Sequence, residues 1–224
     1  ADDAGMVLGD WNGFNVLHTA ASRVGGMMLG CVPGEGGKTT NEILAGAKSG
    51  EISIIYLLGA DEIDTGQLDN AFVIYQGHHG DAGAHKASII FPSAAYTEQN
   101  GIFVNTEGRS QMALKSCESV GLARENWAII RALSEKLGVP LGFNSFEELR
   151  SQLFEDYPST GFIDEPPVNP WKPSKKFSRK CLDKSLTYIL SDHYLTNVIA
   201  RSSVLLSELS KNKRKSKQNN GSGS

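Results

Sequence analysis

Residues 52–91 read ISIIYLLGADEIDTGQLDNAFVIYQGHHGDAGAHKASIIF, and the fold turns on this stretch. Three short apolar runs lie in it: Ile52 to Leu58, Ala71 to Tyr75 and Ser88 to Phe91, closed by Gly59, by Gln76-Gly77 and by Pro92. Each run is nearly continuous rather than alternating, the pattern of strands buried on both faces of a parallel sheet. Ahead of the first, Thr40 or Asn41 caps a short helix to about Lys48. The order helix, strand, turn, strand, loop, strand, with helices beyond, predicts an open, mostly parallel α/β sheet of Rossmann-like character with flanking helices.

On the N-terminal side, Met6 to Leu8 reads as one further strand. Phe14, Leu17, Ala21, Val24 and Met28 recur at helical spacing, with Asp10 or Asn12 as the N-cap and Gly25-Gly26 weakening the last turns. The segment CVPGEGGKTT reads as a loop. Its Gly36-Gly37-Lys38-Thr39 invites a phosphate-binding reading, but a P-loop needs a glycine five positions before Gly37, and Val32 stands there.

On the C-terminal side, two irregular strands are expected at Ile102 to Val104 and Gln111 to Leu114, and a helix from Arg124 to Leu137 that Gly138 and Pro140 stop. Ser145, with Glu148 three residues on, forms a capping box that opens a helix to about Asp156. The first 156 residues thus read as one α/β domain. Residues 157–190 form a strap that is rich in proline and carries Phe162, Trp171 and Phe177, residues for which a free linker has no use. A helix then occupies 191–210, with Val198, Ser202, Leu205 and Leu209 on one face, and a disordered basic tail fills 211–224.

Charge narrows the partners. The formal net charge is −3, but the tail holds Lys211, Lys213, Arg214, Lys215 and Lys217, so the body carries 17 basic against 25 acidic side chains, a net of −8. An acidic body argues against a nucleic-acid partner. No apolar run approaches the ~20 residues that span a bilayer, so no direct membrane insertion is expected. Cys31, Cys117 and Cys181 are widely spaced and read as reduced thiols, buried or half-buried.

Two constellations invite chemistry. His78, His79, Asp81 and His85 carry zinc- or iron-ligand types, although adjacent histidines do not easily face one ion, and the alternative is imidazoles bonded to backbone carbonyls. Glu98 and Glu107 offer a general acid and base, with Arg109 to hold an anion; the alternative is that Asn105 and Glu107 satisfy turn N–H groups while Arg109 pairs with a carboxylate inside the fold. With no nucleophile or cofactor signal beside them, the structural reading of both is preferred, and no catalytic, cofactor-binding or metal residue is assigned.

From Ala84 to Gln111 the pattern A-x-x-I-I-x-P-x-x-x-x-x-E-x-x-G-x-x-x-N-x-E-G-R resembles the signature of the molybdopterin oxidoreductase superfamily. Together with YLLGAD, FVIYQGHHGDAGAH, GLARENWAIIRALSEKLG and DHYLTNVIARSS, it resembles the C-terminal part of the large iron–sulfur (75-kDa type) subunit family of respiratory complex I, the proton-pumping NADH:ubiquinone oxidoreductase. The resemblance covers most of residues 6–207. It implies a pterin-binding fold kept as scaffold without its cofactor, a sheet completed by a companion chain, and iron–sulfur clusters carried by the N-terminal portion of the subunit; three cysteines cannot supply a cluster's four thiolates. Asp61 and Glu62 would lie at the carboxyl end of a strand, where their charge would repel a pterin pyrophosphate.

The expectations that follow are a structural, non-cluster-bearing fragment of a split subunit, with no active site or cofactor of its own. Its partners would be the cluster-bearing N-terminal portion and other peripheral-arm subunits. Its place would be the matrix side of the mitochondrial inner membrane, or the cytoplasmic side of a bacterial one. The alternative is a molybdopterin-dependent oxidoreductase fragment that retains its cofactor.

Overall fold

The computed structural model describes residues 5–8, 11–167, 185 and 192–221. It divides into two compact units, Ala1–Thr39 with Ser93–Arg179 and Thr40–Pro92 with Lys180–Ser224.

In the first unit, strands β1 (Val7–Leu8) and β2 (Trp11–Asn12) form a small antiparallel hairpin, so the expected strand at Met6 to Leu8 pairs with its neighbour along the chain. The helix expected from Phe14 is short: α1 spans only Arg23–Met28. Phe14, Val16 and Leu17 are exposed, so this stretch buries too little apolar surface to hold a helix. Ser22 enters α1 in the left-handed region, at φ 56°, and its Oγ accepts from the Val104 N–H at 3.0 Å. Gly25 then lies against Val104; a Cβ there would come 3.2 Å from the valine methyl.

The expected strand pair appears further on as an antiparallel hairpin, β3 (Gly101–Val104) with β4 (Ser110–Ala113). Helix α2 (Asn126–Lys136) follows, and Gly138 ends it at φ 77°. Helix α3 (Phe146–Asp156) begins where expected: Ser145 Oγ accepts from the Glu148 N–H at 3.1 Å, while Glu148 itself accepts from the N–H of Asn144.

The second unit holds the parallel sheet. Its elements are helix αA (Thr40–Ser49) and strands βA (Ile54–Leu58), βB (Phe72–Gly77) and βC (Ile89–Pro92), in sheet order βA-βB-βC. A 3₁₀ turn at Thr65–Leu68 links the first two strands and a short helix αB (Ala82–Lys86) links the last two. The mixed α/β class and the parallel strands are as the apolar runs predict. Ile55, Leu57, Val73 and Tyr75 face one side and meet Leu44, Ala47 and Leu68 in a single core.

The C-terminal part of this unit departs from the sequence reading. Helix αC (Val198–Ser202) breaks at Ser203, and αD (Val204–Gly221) continues through the basic stretch expected to be a disordered tail. Tertiary partners supply the reason. The Asp192 carboxylate accepts from Ser210 Oγ and pairs with Arg214 at 3.2 Å, and the Lys213 ammonium lies 5.5 Å from the centroid of the Tyr194 ring. Ser210 first, then the Tyr194 N–H, holds the Asp192 carboxyl down at about 2. Phe162 is exposed, and Trp171 and Phe177 of the expected strap lie outside the described residues.

Candidate functional site

Open α/β sheets bind ligands beyond the carboxyl ends of their strands. Here that crevice is formed by Gly59 to Glu62 after βA and by His78 to Asp81 after βB. The side chain at its centre is Tyr75, 1% exposed, which lies along βB over Gly77. On a strand, residues two apart share a face, so a ring at 75 covers position 77 and requires glycine there. A Cβ on Gly77 would fall 2.3–2.5 Å from three atoms of the Tyr75 side chain, and one on Gly83 would fall 2.7 Å from its ring and 2.9 Å from Asp61 Oδ1. Gly77 and Gly83 of the QGHHGDAGAH run thus have a packing role.

Tyr75 donates its hydroxyl to Asp61 Oδ2 at 2.8 Å, and the N–H of Gly83 donates to Asp61 Oδ1 at 2.8 Å. Asp61 is 6% exposed, and both carboxylate oxygens are engaged by these groups of its own chain. Burial first, then the hydrogen bond to Asp61 and that carboxylate's charge, push the Tyr75 phenol well above its ordinary pKa, so it stays a neutral donor.

Arg201, on αC, closes the crevice from outside. Its Nε donates to Asp81 Oδ2 at 2.5 Å, its Nη2 to Glu62 Oε1 at 2.6 Å, and its Nη1 to the Leu195 carbonyl at 3.3 Å. Burial lowers the guanidinium pKa, but the hydrogen bonds to the two carboxylates outweigh it and raise the pKa overall. Removing this fork leaves a half-buried Asp81 unpaired. Arg201→Met is expected to free αC at a cost of about 1–2 kcal/mol, and Arg201→Lys, lacking the planar fork, to cost nearly as much. Hydrogen exchange at 198–202 checks this: protection should fall about tenfold in either variant, and unchanged protection would mean that the fork holds nothing.

The metal reading finds no geometry. Asp81 is taken by Arg201, and His85 Nδ1 donates to the Asp81 carbonyl at 2.8 Å. His78 and His79 turn to each other, Nδ1 to Nδ1 at 2.5 Å with rings edge to face. Of the three histidines, His85 makes the carbonyl bond expected of all. Among the described residues no group of three histidine, cysteine, aspartate or glutamate side chains is placed to hold a metal ion.

The carboxylate pair of the signature stretch is also separated in role. Glu98 accepts from the Ala95 N–H at 3.1 Å. Asn105 Oδ1 accepts from the N–H groups of Glu107 and Arg109, both at 3.0 Å, which is the turn chemistry foreseen for it. Glu107 instead lies 3.6 Å from Arg109 Nε, and Arg109 Nη1 donates to the carbonyl of Asp164 at 3.1 Å rather than to a buried carboxylate. Gly36 to Thr39 are exposed, and Gly37 donates its N–H to the Gly34 carbonyl within the loop. Cys31 and Cys117 are exposed free thiols, not the half-buried ones expected, because both sit in loops; Cys181 is outside the described residues.

A pterin pyrophosphate, the group this fold class implies, does not fit. Asp61, Glu62 and Asp81 present negative charge where phosphate oxygens would lie, and the Gly83 N–H that would meet an anion already serves Asp61.

Comparison with known proteins agrees with the family read from the sequence. The model of the molybdopterin oxidoreductase family matches residues 1–136. The chain is 42% identical over 206 residues to a subunit of the NADH-quinone oxidoreductase of Rickettsia bellii, covering 92% of this chain and 28% of that protein. It is 37% identical over 213 residues to the mitochondrial NADH dehydrogenase [ubiquinone] iron-sulfur protein 1 of Solanum tuberosum, covering 94% and 28%. The NADH-ubiquinone oxidoreductase 75 kDa subunit of Reclinomonas americana is 40% identical over 203 residues, covering 90% and 29%. The chain thus spans less than a third of the length of these relatives. The matched model, the relatives and the parallel sheet together establish that the chain belongs to the molybdopterin oxidoreductase family.

Proposed function

We propose that the chain is a structural portion of the large iron–sulfur subunit of complex I, supporting electron transfer from NADH to quinone without an active site or cofactor of its own. Its iron–sulfur clusters belong to the N-terminal portion of the subunit, and its other partners are the peripheral-arm subunits. Its place is the matrix side of the mitochondrial inner membrane, or the cytoplasmic side of a bacterial one.

One observation carries this reading. The crevice where the fold class binds a ligand is filled from within: Asp61 takes the Gly83 N–H and the Tyr75 hydroxyl, and Arg201 spans Asp81 and Glu62. Such a site spends its polar groups on holding the fold. The names of the relatives support the choice of complex, and the cysteine count supports placing the clusters elsewhere.

Two measurements test the proposal. Blue-native electrophoresis of host membranes should place the chain in a very large NADH-oxidising band; migration at low mass would refute the assignment. Metal analysis of the purified chain should find no stoichiometric molybdenum or tungsten, whereas either metal would establish the cofactor-retaining alternative. Arg109 gives a finer check, because its bonds tie the signature turn to Asp164 within one unit. Arg109→Met should cost about 1 kcal/mol and lower the level of assembled complex several-fold, leaving turnover per assembled complex unchanged. An unchanged complex level with lost turnover would restore an active-site role to the signature stretch.

A further inference from the structure

In the first unit a cavity of about 340 Å³ lies between residues 18–24 and residues 103–106 with Gln111. Phe103 and Val104 give it an apolar wall, and His18, Arg23, Thr106 and Gln111 bring polar side chains to it. Among the described residues these four side chains make no hydrogen bond or ion pair with the protein, the reverse of the crevice in the second unit, where the polar groups are engaged by one another. No carboxylate lines the cavity, although the body of the chain carries 25 acidic against 17 basic side chains. Glu107, next along the chain, lies instead 3.6 Å from Arg109 Nε. A guanidinium and an imidazole that share one opening with no acid to pair them suit a negatively charged group.

Ser22 adds a second observation. It lines the same cavity and stands in the left-handed region at φ 56°, a conformation that costs a non-glycine residue free energy. Its Oγ accepts from the Val104 N–H at 3.0 Å, which leaves the hydroxyl's own proton to donate. Glycine at 25 makes the arrangement possible, because a Cβ there would come 2.8 Å from Ser22 Oγ. Backbone strain of this kind clusters where a ligand is clamped.

We infer that this cavity binds a small organic anion, with the carboxylate or phosphate head on Arg23, His18 and the Ser22 hydroxyl and the apolar body on Phe103 and Val104. The volume falls within the ~300–1,000 Å³ of small-molecule sites, and an apolar wall with a few convergent polar groups is their usual makeup. This binding site goes beyond the structural role proposed above and does not rest on it.

Isothermal titration calorimetry of the purified full chain with benzoate, phenyl phosphate and inorganic phosphate tests the inference. One-to-one binding of benzoate or phenyl phosphate is expected, about tenfold or more tighter than inorganic phosphate, and the tighter of the two tells a carboxylate head from a phosphate one. Binding of neither organic anion, or binding no tighter than that of inorganic phosphate, would overturn the inference. Arg23→Gln should weaken binding about tenfold or more. Its melting temperature should hold, because Arg23 is exposed and bonded to nothing among the described residues. Lys136→Gln removes the same charge from α2, outside the cavity lining, and should leave affinity unchanged; equal losses in the two variants would reduce the effect to net charge and defeat the site. The imidazole signals of His18 should move as the anion saturates the chain, whereas binding that leaves them in place would put the anion elsewhere and also overturn the inference. None of these outcomes bears on whether the chain migrates in the NADH-oxidising band, so the proposed function stands or falls separately.

Discussion

Gly77→Ala is expected to destabilise the chain by about 3–5 kcal/mol, a large share of the ~5–15 kcal/mol that holds a domain folded. The new methyl would lie 2.3–2.5 Å from three atoms of the Tyr75 side chain, which is 1% exposed and has no free volume to enter. Overpacking of this kind costs about 1–3 kcal/mol. Moving the ring also withdraws its hydroxyl from Asp61, and a buried partner left unsatisfied costs about 1–3 kcal/mol more. Gly83→Ala, with closest approaches of 2.7–2.9 Å, should cost about 2–3 kcal/mol by the same route. Gly80→Ala is the control: nothing lies within 4 Å of its Cβ position, so its effect should stay within about 0.5 kcal/mol. Urea unfolding of the three variants checks the order. In a Tyr75→Ala background, which removes the ring, Gly77→Ala should lose most of its cost; a full, additive cost there would mean that position 77 acts through the backbone alone.

The second large effect is at Asp61. Asp61→Ala leaves the buried Gly83 N–H without its acceptor and the Tyr75 hydroxyl with only the long bond to the His79 carbonyl at 3.4 Å, for a loss of about 3–4 kcal/mol. Asp61→Asn should lose only about 1 kcal/mol, because its oxygen still accepts from Gly83 while its amide donates to the Tyr75 oxygen in the reversed sense. The gap between the two variants separates a hydrogen-bonding role from a charge role. Denaturant midpoints provide the measurement, with the level of assembled complex as a second readout. Equal losses in both variants would show that the carboxylate charge itself is required, which a site serving only to hold the fold has no reason to need.

How far the sequence could be read depended on how local the deciding interactions are. The three parallel strands were legible because fully buried strands are written as continuous apolar runs, and their observed limits fall within two residues of those runs. Ser145 and Glu148 announced α3 because a cap is decided within four residues. The helix expected from Phe14 failed for the opposite reason: its apolar stripe had the right period, but Phe14 and Leu17 stay exposed in the fold. The basic stretch was expected to be disordered from charge alone, whereas Asp192 and Tyr194, about twenty residues upstream, hold Arg214 and Lys213 in αD.

The crevice shows the same division. Asp61 and Glu62 could be placed at a strand's carboxyl end from the sequence, and the run Y-x-G on a strand was a signal that Tyr75 needs glycine at 77. Arg201 carried no local signal. It lies 120 residues from Asp81 and 139 from Glu62, in the middle of a stretch that reads only as a helix.

By itself, then, the sequence determined the class of fold, the places of its parallel strands along the chain, the acidic balance of the body and the shortage of thiolates for a cluster. Each of these is a property of composition or of neighbours along the chain. Only the tertiary structure decided that the ligand crevice is filled by the protein's own groups and that Ile54, Leu58 and Phe72 stay exposed on one face of the sheet. Both outcomes depend on which distant groups come together, because a buried carboxylate is satisfied by whatever donor folding brings to it, and a sheet face is covered only where the winding of the chain places a helix.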